Sequence, residues 1–505
     1  MFDNIKAFYR GPGLLISTVM WESFSIFGLR ALLILYLTQV MALSDSKAFE
    51  IYAGFISLVW VSPVVGGWIA DHYLGFKYSV YIGAILIILG HTVLSLTFDN
   101  SLYIGLSLLI CGMGFFKTNA ICMVGSYYQG QPEKTSAMMT LYYVGMNIGA
   151  TLGPIICAYL QKELGYNYAF SAAGVGMAIG LAILTCNRKR FKNVANPLIN
   201  TKACWEKGLL AVIPFLFIIT SLSLILKYNA THYLLSICFI AAAYLLWKKT
   251  QHLTWSTKKN LLTLLGLTLV ATFFWALDQQ SGSSISLFIL RNVKRAGIPT
   301  AAFQAINPLI IIIVGLMASV FMQKNKNKSK IGSITKTTTM NATNLLKIII
   351  GISLLTVGYM IITLSAALSA KQGLVSLWMP AMGLSFIGSA EIFIDPIILS
   401  SITLISPKPL LGLLTAIYYL FVGALANFVS GKVAMLSAIP SVSAKSSDTQ
   451  LSGQIYFKTF STITELCFIV LLVLLIVLLL VFFKKNFSPL DWIKNPQIKQ
   501  MQTYD

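Results

Sequence analysis

Of the 505 residues, 57% are hydrophobic and only 10% are charged, and the formal net charge is +21. Soluble chains carry roughly 25% charged residues, so this one cannot cover a water-facing surface, although it can cover both ends of a bundle whose sides meet lipid. A basic excess in a soluble chain would point to nucleic acid. Here the cations gather around 188–207, 248–259, 324–336 and 484–499 with no stripe of interleaved aromatics, which excludes that partner.

A membrane crossing needs roughly 20 mostly apolar residues. Lys6 and Arg10 precede a first apolar run, 13–40, that is too long for the core of a cleavable signal. Further crossings are predicted near 50–70, 78–97, 101–126, 137–160 and 168–186, then 209–226 and 232–247 between two basic connectors. Six more follow near 260–288, 302–322, 345–368, 376–404, 409–436 and 458–483. The chain therefore reads as an all-α membrane protein of fourteen helices: a six-helix bundle in 1–187, a linker with two extra crossings in 188–259, and a second six-helix bundle with a basic tail in 260–505. An even number puts both termini on one side, and the basic loops make that side cytoplasmic. "RNVKRAG" (291–297) is a local exception, since this topology places it outside. The polar, biased stretch 324–344 reads as a cytoplasmic loop. Two rocking halves around a mid-membrane site suit a transporter. Spans alone also fit a channel, a receptor or a multi-span enzyme.

Cys111, Cys122, Cys157, Cys186, Cys204, Cys238 and Cys467 show neither paired nor metal-ligand spacing and read as small packing residues. His72, His91, His232 and His252 are scattered and receive no role. Ionisable residues inside crossings are expensive and usually functional; they are Glu22, Arg30, Lys117, Asp278, Glu391, Asp395 and Glu465. Glu465 is near enough to a helix end to reach the interface. Glu22 and Arg30 share a face about 12 Å apart along the axis and cannot pair directly. Glu391 and Asp395, in "SAEIFIDPI", are spaced i, i+4 beside the kinking Pro396, and two carboxyls so close do not both ionise easily. The first half thus supplies cations and the second half clustered acids. A zwitterion would span that field, and a salt-bridge network between the halves is the structural alternative.

Several stretches at and around these residues, in order along the chain, carry a family resemblance. "GGWIADHYLGFK" (66–77), "GMGFFKTN" around Lys117, "YYVGMNIGATLGP" (142–154), "FFWALDQQSGSSISLF" (273–288), "FQAINPLI" (303–310) and "SAEIFIDPI" are similar to motifs of the proton-coupled oligopeptide transporters. These are the peptide-transporter branch of the major facilitator superfamily, whose fold the resemblance implies. In that family the first helix reads E-x-x-E-R, then F-x-Y-Y-G and a further Arg. In "VMWESFSIFGLR" (19–30), Val19 and Ser23 stand where a Glu and an Arg are expected, and Ile26 and Phe27 replace the two tyrosines, while Glu22 and Arg30 remain. The acid of the family's helix 7 falls on Gln279; Asp278 is one residue, about 100°, away and so is expected to face elsewhere. Tyr418 takes the place of a Trp, and Asp395 stands where Ser is commoner.

The resemblance implies uptake of di- and tripeptides by alternating access, driven by protons and needing no cofactor or metal. Arg30 and Lys117 would hold the peptide carboxylate, Glu391 its amine, and Asn147 and Asn307 its backbone. Trp60, Tyr143, Tyr418 and Gln279 would line the cavity. With acids missing at 19 and 279, coupling is expected to rest on Glu22, Glu391 and Asp395. Asp71 is expected to act as a conformational latch, with Lys77 or a helix N-terminus as partner. The expected partners are short peptides and the lipid bilayer, with a monomer sufficient, in a bacterial inner membrane. The competing readings are a carrier of another zwitterion or organic anion and a receptor-like relic that binds without transport. An enzyme is least supported, since no nucleophile–base pair or metal cluster is visible.

Overall fold

The computed structural model describes residues 12–96, 98–127, 131–191, 218–326, 342–407, 410–440 and 449–486. Among these, twelve continuous helical stretches are long and apolar enough to cross a bilayer. The first set is α1 (Pro12–Gln39), α2 (Asp45–Ile69), α3 (Gly75–Ser95), α4 (Ser101–Tyr127), α5 (Pro132–Leu164) and α6 (Tyr166–Cys186). Two expected crossings, α2 and α3, form one of the twelve stretches, because a π-turn at Ala70–Leu74 joins them. Gly75 turns the chain there with a φ of 72°, a region that costs other residues steric strain.

A short α7 (Ile218–Lys227) and α8 (Thr231–Thr250) form the central pair. The first part of the expected crossing at 209–226, most of the basic cluster at 188–207, residues 327–341 and the tail beyond 486 lie outside the described residues. The last set is α9 (Trp255–Asp278), α10 (Ser284–Asn292), α11 (Ile306–Lys326), α12 (Ala342–Gln372), α13 (Trp378–Ile405), α14 (Leu411–Tyr419), α15 (Ala426–Met435) and α16 (Thr449–Asn486).

Two departures from the expected spans shape the interior of the bundle. The crossing expected at 260–288 is divided: α9 ends at Asp278, a 3-10 turn occupies Gln279–Gly282, and α10 resumes after Ser283. The Gln280 amide stabilises that break by donating to the Ser430 carbonyl (2.8 Å) and hydroxyl (3.0 Å). In contrast, α13 runs unbroken through Pro396, so this proline does not end its helix. The irregularity in this region falls instead on α14 and α15, which a π-turn at Leu420–Leu425 joins. Two-residue strands β1 (Val293–Lys294) and β2 (Val375–Ser376) pair in parallel at the end remote from the termini.

Packing relies on small residues, because in lipid no hydrophobic force drives helices together and close approach is what yields dispersion energy. Gly149 and Gly153 of α5 lie against the α1 backbone at Met20 and Phe24, and Gly83 and Gly112 bring α3 onto α4. A hydrogen bond of 2.7 Å between Ser25 and the His91 ring ties α1 to α3 in the buried interior. One apolar core runs through both sets of helices, and α1 is buried on nearly every face.

A Cβ on Gly149 would collide with the Met20 carbonyl, whereas one on Gly266 meets open space. Overpacking costs about 1–3 kcal/mol. Gly149→Ala is therefore expected to lower the melting temperature of the detergent-solubilised protein in scanning fluorimetry, and Gly266→Ala to leave it unchanged or raise it slightly.

Candidate functional site

Arg30 extends from α1 to both sets of helices. Its Nε donates to the Tyr52 hydroxyl on α2 at 3.1 Å, and its Nη2 donates to Gln279 Oε1 in the 3-10 turn. Gly282 gives this turn its fit, since a side chain there would strike the Tyr52 hydroxyl. Gln279 donates in turn to Asp278 Oδ2 at 3.3 Å, and Asn307 Nδ2 donates to Asp278 Oδ1 at 2.7 Å. The expectation that Asp278 faces elsewhere assumes a continuous helix. The change from α-helix to 3-10 turn at this residue overturns that assumption, and both neighbouring side chains enter one cluster.

On α13, Glu391 Oε1 accepts from the Tyr143 hydroxyl of α5 at 3.0 Å, a direct link between the two sets. One turn further, Asp395 Oδ1 accepts from Trp275 Nε1 at 3.1 Å and from the Tyr418 hydroxyl. On the opposite wall, Lys117 Nζ lies 3.7 Å from the centre of the Trp60 ring, within cation–π range. Trp60 itself stacks on Tyr419 with centroids 6.4 Å apart and planes 11° from parallel. Glu22 is buried beneath, accepting from Ser23 at 3.2 Å.

The six charges form one field. Lys117 acts on Glu22 and Arg30, Arg30 acts on Asp278 and Glu391, and Glu391 acts on Asp278 and Asp395. None of these pairs closes to a salt bridge of 4 Å among the described residues. Opposite charges therefore face each other across the hollow without cancelling by contact.

Hydrogen bonds, ring contacts and charge interactions thus link Arg30, Lys117, Glu22, Glu391, Asp395, Gln279, Asn307, Trp60, Tyr143 and Tyr418 in one cluster, with Tyr418 fully buried. Asn147 adjoins it but turns back on its own helix, donating to the Tyr143 carbonyl at 2.9 Å. Asn307 is likewise engaged with Asp278, and its Oδ1 has no partner among the described residues. Asp71 and Lys77 are not brought together: Asp71 is exposed on the π-turn after α2 and forms no ion pair with a described residue. Glu465 is exposed, but α16 begins at Thr449, so this residue stands in the interior of its helix and not near the end that the expected span 458–483 implied.

The ion pair that does join the halves lies at the other end. Both Arg291 guanidinium nitrogens Nη1 and Nη2 contact the Asp45 carboxylate at 2.7 Å, and Nη1 also donates to the Tyr456 hydroxyl at 3.1 Å. The Ile439 backbone N–H donates to the same carboxylate at 3.0 Å. Sequence reading missed this pair, although the basic "RNVKRAG", which the expected topology placed outside, was a signal: a cation that breaks the loop-charge rule has a local partner. Lys162 donating to the Gly297 carbonyl (3.1 Å) and Ser57 donating to the Ala424 carbonyl (3.0 Å) add to this closure. These contacts hold the two sets of helices together at the far end.

Comparison with known proteins agrees with this geometry. Residues 77–451 match the family model described as the POT family. The chain belongs to the POT family. Dipeptide and tripeptide permease A of Yersinia pestis is 25% identical over 470 residues, covering 92% of this chain and 90% of the permease. The permease of the same name from Proteus mirabilis is 25% identical over 448 residues, 87% of this chain and 88% of its own length. A solved bacterial homologue of the human drug peptide transporters superposes with a TM-score of 0.77 at 22% identity, covering 94% of this chain and 98% of its own. A POT family transporter in complex with 5-aminolevulinic acid gives 0.74 at 22% identity, with 92% and 96% covered. Membership fixes the major facilitator fold and makes this an integral, multi-pass membrane transporter and not an enzyme.

Removing one partner of a buried ion pair costs about 3–5 kcal/mol, because the other charge is left uncompensated. Asp45→Asn and Arg291→Gln are each expected to lower the melting temperature clearly, and the double variant to fall little below the worse single one. Additive losses in that double-mutant cycle would show that the two side chains do not act as a unit.

Proposed function

We propose that this POT family member takes up di- and tripeptides by alternating access, with protons as the coupling ion. The observation that carries the reading is the division of charge across the hollow, Arg30 and Lys117 on one wall and Asp278, Glu391 and Asp395 on the other. A short peptide has a carboxylate at one end and an amine at the other whatever its side chains. It can therefore lie with its carboxylate toward Arg30 and Lys117 and its amine toward Glu391. The names of the permease relatives support the same substrate class. Asn307 and, after a side-chain rotation, Asn147 would meet the peptide backbone, while Trp60, Tyr143 and Tyr418 shape the walls.

Alternating access is supported by the closure at the end remote from the termini. Opening that end requires Asp45 to separate from Arg291 and Arg30 from Gln279, and the site residues are themselves among the bonds exchanged. Coupling is assigned to Glu391 first: it has one donor, Tyr143, and faces two further carboxyls, so a proton there relieves repulsion that a departing or arriving amine also changes. Glu22, which lies in the first set of helices with Lys117 acting on it, is the second candidate. The basic loops make the terminal side cytoplasmic, in a bacterial inner membrane, and a monomer contains the whole site.

A second reading, a carrier of another small zwitterion, has one specific observation in its favour. A fold relative is described in complex with 5-aminolevulinic acid, which carries an amine and a carboxylate without a peptide bond.

Labelled dialanine in proteoliposomes tests both readings. The protein is expected to accumulate dialanine under an imposed proton gradient, and Glu391→Gln to cut acid-driven accumulation at least about ten-fold, with counterflow weakened too because the same carboxylate holds the amine. Intact accumulation in the combined Glu391→Gln and Asp395→Asn variant would remove the coupling assignment. Uptake of 5-aminolevulinic acid that dialanine fails to compete would favour the second reading.

A further inference from the structure

The charges around the hollow do not balance. Four carboxyls, Glu22, Asp278, Glu391 and Asp395, act in one field with two cations, Arg30 and Lys117. A single bound proton leaves three carboxylates to two cations. A peptide with neutral side chains adds one positive and one negative end, so it leaves the excess in place.

Asp395 is the carboxyl least committed to the rest. Both of its hydrogen bonds, from Trp275 Nε1 and from the Tyr418 hydroxyl, fall on Oδ1. Oδ2 accepts from no described residue, and the side chain is only half-buried. The two donors come from α9 and α14, so they fix the carboxyl's orientation from both sides. The nearer cation, Arg30, is engaged by Tyr52 and Gln279 and acts on Asp278 and Glu391. Asp395 is thus an oriented acid with no cation of its own.

We infer that Asp395 is a specificity residue, and that the site prefers peptides whose first residue carries a cationic side chain. The inference rests on the peptide reading proposed for this site. With the peptide amine at Glu391, the first residue's side chain branches beside it. Asp395 lies one helical turn away on the same face of α13, about 6 Å along the axis. A lysine's flexible four-carbon stem can reach across one turn and bring its ammonium to Oδ2. A glutamate in the same place would add a fifth carboxyl to the field, and in a low-dielectric hollow like-charge repulsion is large.

Calorimetry on the full-length, detergent-solubilised protein tests this with Lys-Ala, norleucyl-alanine and Glu-Ala. Lys-Ala is expected to bind about ten-fold or more tighter than Glu-Ala, and clearly tighter than norleucyl-alanine, which has a similar stem without the charge. In Asp395→Asn the Lys-Ala advantage over both is expected to shrink to within about two- to three-fold. Equal affinities for Lys-Ala and norleucyl-alanine in the unmodified protein would overturn the inference, even if the variant fails to fold. An advantage that persists undiminished in a folded Asp395→Asn would overturn it as well. Failure of the underlying reading looks different: none of the three peptides would bind, and both conclusions would fall.

Discussion

A guanidinium halfway along an apolar helix cannot remain without partners, and the partners of Arg30 organise the rest of the molecule. Burying an isolated charge costs several kcal/mol even after relaxation, so the surroundings must supply acceptors or water. Arg30 finds the Tyr52 hydroxyl on its own side and the Gln279 amide oxygen on the other. Gln279 passes the connection to Asp278, and Asp278 to Asn307. The break in the helix between Asp278 and Ser283 serves this chain, because a straight helix would turn Asp278 and Gln279 to different neighbours. One cation on α1 thereby ties the geometry of α2, the 3-10 turn and α11 to a single hollow.

Two kinds of electrostatics coexist at the two depths of the bundle. At the far end, Arg291 and Asp45 meet in a bidentate contact that the Tyr456 hydroxyl and the Ile439 N–H complete, which is the geometry of a closed, satisfied pair. Around the hollow, cations and acids stay apart, coupled through space and held by neutral groups such as Tyr143, Trp275, Tyr418 and Gln279. Satisfied pairs hold a conformation. Unsatisfied opposite charges create a place for something that carries both signs. The distinction explains why the cluster reads as a binding site and the Arg291 contact as a fastening between the halves.

Much of this was legible in the sequence, for reasons tied to particular residues. Apolar runs declare crossings because hydrocarbon disfavours polar backbone and charge, and most of the described helices start and stop within about five residues of those runs, α16, which begins nine residues early, being an exception. Glu22, Arg30, Lys117, Glu391 and Asp395 stood out because charge inside such a run has no innocent explanation. What was not legible is what depends on departures from a regular helix. The direction of Asp278 required knowing that α9 ends there, and a side chain–backbone contact to the distant Ser430 fixes that end. The pairing of Asp45 with Arg291 joins residues 246 positions apart, and only a basic stretch at odds with the expected topology hinted at it. The π-turn that carries Asp71, Ala70–Leu74, is likewise invisible in composition.

The central pair of helices is fastened unequally. Lys227 at the end of α7 donates to Asn100 at 2.9 Å and its carbonyl accepts from Lys47 at 3.3 Å, while Ser223 and Ser107 are 3.0 Å apart, so α7 is bonded to the first set of helices. On the other flank, α8 meets the last set through the edge-on rings of Phe239 and Phe421, 5.1 Å apart. Hydrogen bonds weaken steeply with angle and distance, whereas ring-against-ring dispersion changes gently as surfaces slide. The hairpin is therefore tied to one half by hydrogen bonds and meets the other through an apolar ring contact, a junction that tolerates sliding better than the bonded flank does.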